Sequence, residues 1–152
     1  MSPSPAIPPV IVPPADARTH HAFGDTTAFL LTGEQTGGRY TMSANVIDPG
    51  GGPPPHWHDH QDEWFYVVDG RAEFFKDGVW TEVPVGTAVF IPRGAVHAFR
   101  NAGDTPMKLT IHTAPSGFEA FFARIAEEFN RDGGPDMGRV VEISAEHGIH
   151  YV

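Results

Sequence analysis

Between residues 23 and 113 this chain leaves no room for a long regular element. Gly, Pro, Asp or Asn interrupts it every few residues, and the segments between are rich in Val, Phe, Tyr, Trp and Thr. Such side chains suit a pleated surface and such breakers end it, so the pattern predicts an all-β sandwich or barrel. The expected strands are 28–32, 39–47, 63–69, 72–76, 88–91, 98–101 and 107–112. Turn signals separate them at 36–38, 48–55, Asp69-Gly70, Asp77-Gly78, 92–94 and 102–106. No repeat of solenoid period interrupts this stretch, which reads as one unit.

After Pro115 the apolar period changes to that of a helix. Phe118, Phe121, Phe122, Ile125 and Phe129 form one stripe, with Ser116 and Glu119 spaced as a capping box. A second helix is expected over about 135–146, capped by Asp136 and ended near Gly148. Some 37 residues cannot build their own core, so the segment 115–152 is expected to pack on the barrel of 23–114. Residues 1–22 carry Pro3, Pro5, Pro8, Pro9, Pro13 and Pro14, which favour an extended arm. It is either a loose tail or a strap on which Ile7, Val10, Ile11 and Val12 are buried against a partner subunit.

A formal charge of -9 over 152 residues repels phosphate backbones and anionic lipid, which argues against nucleic acid or membrane as partners. The chain has no cysteine, which removes disulfides, thiolate metal sites and a cysteine nucleophile together. The first seventeen residues hold no basic residue and no apolar run of signal-peptide length, so a cytoplasmic location is expected.

Nine histidines remain as the chemically distinctive feature. His56 and His58 alternate, and on a strand they project the same way about 7 Å apart. Glu63 is five residues past His58, an odd offset that would face it away on a continuous strand. The polar run Asp59-His60-Gln61-Asp62 is therefore expected to turn the chain, with Glu63 opening an antiparallel strand beside the first and pointing back to both imidazoles. His97, after the Pro92 and Gly94 turn, could add a fourth ligand from the other side. Three imidazoles and one carboxylate suit a divalent Fe, Mn, Ni, Cu, Co or Zn ion with positions left for substrate or dioxygen. His60 belongs to the turn and reads as surface. His112 reads as a hydrogen-bonded strand residue, and His20, His21, His147 and His150 as solvated. Strand parity places Phe65 and Val67 on the Glu63 face and Phe99 and Asn101 on the His97 face. Phe65, Phe99 and Asn101 are thus the expected substrate-pocket residues. Trp64 and Tyr66 should face the helix or a second subunit.

The segments Gly50, His56, His58, Glu63, Gly70 and Gly86, Pro92, Gly94, His97, Asn101 match both signature motifs of the cupin superfamily. More narrowly, LLTGEQTGGRYTM, PPPHWHDHQDEWFYVVDG and APSGFEAFFARIAEEF resemble the bacterial quercetin 2,3-dioxygenase-like monocupins. The resemblance implies a double-stranded β-helix, or jelly-roll barrel, with C-terminal helices, forming a homodimer. It implies His56, His58, Glu63 and His97 as metal ligands, with Glu63 also the base for a substrate hydroxyl. The expected function is a dioxygenase acting on an aromatic or enolisable, flavonol-like molecule. The alternatives are a non-oxidative cyclase or isomerase on a polyketide or sugar-derived substrate, and a binding protein without catalysis.

Overall fold

A computed structural model describes residues 7–152 of the chain; Pro3 and Pro5 of the expected arm lie outside the described residues. Two sheets face each other. The first orders its strands β1-β2-β3-β10-β5-β8. These are β1 (Arg18–Ala22), β2 (Asp25–Leu31), β3 (Thr41–Ile47), β10 (Met107–Ala114), β5 (Asp62–Asp69) and β8 (Ala88–Ile91). The second orders β11 (Ile149–Tyr151), β4 (His56–His58), β9 (His97–Asn101), β6 (Ala72–Lys76) and β7 (Val79–Val83). This is the all-β jelly roll expected, with C-terminal helices α2 (Phe118–Phe129) and α3 (Met137–Glu146) and a single short turn α1 (Gly33–Thr36).

Every second residue of β3, from Thr41 to Ile47, is buried, as a strand with one face on a core requires. The barrel's core is filled by Ile47, Phe65, Val67, Phe74, Phe99, Met107, Leu109 and Ile111. Burying each of the larger side chains stabilises the fold by about 1.5–3 kcal/mol. A second apolar cluster joins Phe29 of β2 to Phe121, Phe122 and Ile125 of α2, Val140 and Ile143 of α3, and Ile149 of β11. The helices therefore cap one end of the barrel, and the candidate site lies between the two cores.

Several local expectations are corrected. Residues 18–22, placed in the arm from their proline-rich surroundings, pair with β2 in full register from Arg18 opposite Phe29 to Ala22 opposite Asp25. A hairpin at Phe23-Gly24, both with positive φ, makes that possible. Ile7 lies against Gly37 of its own chain, whereas Ile11 is almost fully exposed. The edge strand β7 was not foreseen, because its residues are mostly exposed and show no alternation. Ser116 does not cap α2. Gly117 holds the N-cap position, and the Glu119 carboxylate accepts from the backbone N–H groups of Gly33 and Gly117, both at 2.8 Å, tying the helix to α1. Asp136 caps α3 as expected, accepting from Gly138 and Arg139. Trp64 stacks on His112 at 5.3 Å on the outer sheet face, where the Tyr40 hydroxyl also bonds His112 Nδ1. Among the described residues no helix is long and apolar enough to cross a membrane.

Candidate metal centre

The three imidazoles are brought together by strand pairing. His56 and His58 lie on β4, whose neighbour β9 places His97 directly opposite His56. The chain before β4 must pass close to β9 to allow this. A Cβ on Gly52 would come within 2.0 Å of the Phe99 carbonyl oxygen, so only glycine fits there. The two loops are also stitched together, with the Gly94 N–H donating to the His58 carbonyl at 2.8 Å. The ring nitrogens of His56, His58 and His97 all fall within 4.8 Å of one another.

Glu63 reaches the same point by a different route from the one expected. Its strand β5 does not lie beside β4; it belongs to the first sheet, pairing with β10 and β8. The turn at 59–61 carries the chain from one sheet to the other, so the carboxylate faces the imidazoles across the barrel. His97, expected from the far side, is instead the in-sheet neighbour of His56. Glu63 Oε1 lies 3.1 Å from His97 Nε2 and Oε2 lies 3.5 Å from His58 Nε2. His56, His58, Glu63 and His97 are all buried.

Hydrogen bonding fixes which nitrogens face inward. His56 Nδ1 donates to the Pro54 carbonyl at 2.9 Å and His97 Nδ1 to the Ala95 carbonyl at 3.0 Å. Both rings therefore carry a proton on Nδ1 and turn Nε2 to the centre. Among the described residues neither ring nitrogen of His58 has a hydrogen-bond partner. Burial, with the neighbouring His97 and His58, pushes His56 down to about 3 and so keeps it a neutral donor. Burial likewise lowers His58. Burial would raise Glu63, but His58, His97 and His56 outweigh it and hold the carboxyl ionised. His97 is raised despite burial by its bond to Glu63. Inward lone pairs facing a buried carboxylate call for a positive charge between them. The donor set fits a divalent cation of the borderline type.

Above the cluster lies a cavity of about 40 Å³. Its aromatic wall is Phe99 from the barrel and Phe118, Phe121 and Phe122 from α2, and Tyr151 closes one side. Of the expected pocket residues, only Phe99 lines it. Phe65 lies deeper, packed edge-on against Phe74 and Phe99 in the barrel core. Asn101 is also structural: its amide donates to the Ile47 and Thr105 carbonyls at 2.9 and 2.7 Å and accepts from Gly103 N–H at 2.8 Å. Parity told which face each residue takes, but not how far down the barrel it sits. His60 is exposed on the turn. His150 is not free in solvent: it stacks on Trp57 at 5.1 Å and bonds Asp59 at 2.7 Å, fastening β11 to β4.

The wall formed by β2 and β3 was missed. Asp25 and Asn45 line the cavity, and behind them Thr27, Ser43, Thr41 and Thr113 are buried. Asn45 Nδ2 donates to Asp25 Oδ2 at 2.8 Å and to Thr27 Oγ1 at 2.9 Å, while its Oδ1 accepts from Ser43 Oγ at 2.7 Å. Burial pushes the Asp25 carboxyl up to about 7 against the pull of Asn45 and Thr27. The available signal was the alternation Thr41, Ser43, Asn45, Ile47, in which the polar set shares a face with an apolar residue.

The Cupin domain model matches residues 45–113, which include both histidine segments. SchB of Streptomyces halstedii is 34% identical over 94 residues, covering 60% of this chain and 67% of SchB. The chain belongs to the cupin family. Polyketide synthase CurC of Streptomyces cyaneus is 32% identical over 74 residues, 49% of this chain and 48% of CurC. Quercetin 2,3-dioxygenase of Bacillus subtilis is 24% identical over 110 residues, 66% of this chain and 32% of that enzyme, a distant relative. The chain thus matches about half of CurC's length and a third of the dioxygenase's. Among solved structures, the polyketide cyclase RemF of Streptomyces resistomycificus superposes with a TM-score of 0.62 at 23% identity, covering 70% of this chain and 80% of RemF.

Proposed function

We propose that this protein is a metal-dependent cupin enzyme in which His56, His58, Glu63 and His97 hold one divalent ion of Fe, Mn, Ni, Cu, Co or Zn, and that it is a dioxygenase of an aromatic or enolisable, flavonol-like molecule. The carrying observation is the convergence of three imidazole nitrogens within 4.8 Å of one another at the floor of a phenylalanine-walled cavity. A divalent ion held there would supply Lewis acidity and, if redox-active, a one-electron path to dioxygen. Phe99, Phe118 and Phe122 would flank a planar ring and exclude water from it. Glu63, buried and ionised, would take the proton from the substrate hydroxyl, breaking its O–H bond and leaving an enolate or phenolate. Tyr151 is fixed by its hydroxyl to Ser144 Oγ at 3.0 Å and so gives the cavity a rigid side.

The names of CurC and RemF favour a second reading, in which the same residues serve a non-oxidative polyketide cyclase or isomerase. Oxygen uptake separates the two. With a flavonol substrate and redox-active metal, the dioxygenase reading predicts uptake that falls at least ~100-fold in Glu63→Gln, the ordinary scale of a lost general base. Product formed equally well without oxygen would transfer the assignment to the second reading. The proposal includes a cytoplasmic homodimer docked through the outer face of the first sheet, where Tyr66, Val68 and Phe90 are exposed. A monomer in sedimentation equilibrium would remove the dimer alone.

A further inference from the structure

Asp25 stands apart from the four proposed ligands, on the first sheet at the start of β2, yet it opens on the same cavity. It is buried, and nothing in the proton transfer assigned to Glu63 uses it. Its surroundings are unusually complete on one side and bare on the other. Asn45 spends both amide hydrogens, one on Asp25 Oδ2 and one on Thr27 Oγ1, and its own oxygen is held by Ser43. The opposed register of Thr27 and Asn45 on β2 and β3 makes this a rigid arrangement. The orientation of the carboxyl is therefore set: Oδ2 is an acceptor for Asn45, and any proton the group holds resides on Oδ1. That oxygen is buried without a hydrogen-bond partner among the described residues.

A network that served only to hold β2 to β3 would have no need of it. The network of Asn45, Thr27 and Ser43 draws only on Oδ2 of the carboxyl, and cores avoid leaving a carboxyl oxygen bare. An oriented, desolvated oxygen at a cavity wall is instead what a recognition group needs, because its reorganisation has been completed by folding. Phe23, Phe121 and Phe122, which line the same cavity, carry no group that could bond it.

We propose that Asp25 is a second polar anchor of the cavity, its Oδ1 hydrogen-bonding a hydroxyl on the substrate at a position remote from the end that meets the three histidines. The substrate class narrows accordingly, to ring compounds with a chelating oxygen pair at one end, an apolar body, and a further hydroxyl beyond it. Polyhydroxylated phenolics and oxygenated polyketide rings meet this description, and ring compounds with a bare distal edge do not. Such a site rejects the deoxy analogue, because the buried oxygen then stays unpaired. The inference rests on the metal-centre reading for the other end of the molecule.

The test is the binding of two probe pairs to cobalt-loaded protein: kojic acid against allomaltol, and 3,4′-dihydroxyflavone against 3-hydroxyflavone. Each pair shares its chelating oxygens and differs by one distal hydroxyl. In at least one pair the hydroxylated probe should bind about tenfold more tightly to the wild type. In Asp25→Val the ratio should fall to about one, with cobalt content and affinity for the deoxy probe retained. In Asp25→Asn, which keeps a donor toward the cavity but loses the acceptor, it should lie between. Equal affinities within both pairs in the wild type would overturn the anchor. So would a ratio retained in Asp25→Val or, should that variant fail to fold, undiminished in Asp25→Asn. Wild-type protein that takes up no cobalt and binds no probe would instead remove the metal-centre reading, and the anchor with it. Uptake of cobalt with equal binding within each pair would remove the anchor alone.

Discussion

The cavity has two polar walls, and they are built on opposite principles. On β4, β9 and β5, His56, His58, His97 and Glu63 turn their lone pairs toward one another, and His58 has no hydrogen bond at either nitrogen. On β2 and β3, Asn45 is satisfied in every direction by Asp25, Thr27 and Ser43, and a single oxygen is left over. The first wall is costly to the protein alone and becomes favourable with a cation. The second supports itself. Unsatisfied buried groups on a cavity wall thus point to where a ligand belongs.

The largest expected effect sets the walls against each other. Asn45→Leu strips the donor from a buried carboxyl and the acceptor from Ser43, and should destabilise the fold by about 3 kcal/mol in chemical denaturation. His58→Leu removes no hydrogen bond but leaves the buried Glu63 carboxylate one imidazole fewer, and should cost metal-free protein less, about 1 kcal/mol. Equal losses would erase the contrast. A smaller effect follows from Asp25. Its carboxyl, ordinarily near 3.8, is raised to about 7 in the fold. The folded state therefore binds a proton that the unfolded state has released, and stability present at low pH is lost as the pH rises through about 7. At 1.36 kcal/mol per unit, wild-type stability should fall between pH 5 and 7 by roughly 2–3 kcal/mol more than that of Asp25→Asn. Parallel stability curves for the two proteins would show Asp25 to be an ordinary exposed-type carboxyl.

The first wall was legible because its chemistry is written in spacing. Alternation put His56 and His58 on one face, and the odd offset of Glu63 forced a turn. What local spacing lacked was the sheet to which each strand belongs, so Glu63 was placed beside β4 and His97 across from it, the reverse of the pairing found. The second wall was hidden for a related reason. Thr41, Ser43 and Asn45 alternate as a solvent face does, and only the closure of the barrel turns that face inward. Depth along the barrel decided the remaining errors. Phe65 and Phe99 share a direction and both belong to the core, yet only Phe99 also borders the cavity. The strands β1, β7 and β11 were missed since each is short or exposed and gains its order from a neighbour.

The central claim, one cation shared by both sheets, is tested most directly by elemental analysis of untagged protein against His97→Ala. The account predicts about one divalent ion per chain in the wild type and loss of most of it in the folded variant. A full complement of metal in His97→Ala, or a folded wild type that takes up none when dialysed against the candidate ions, would contradict it.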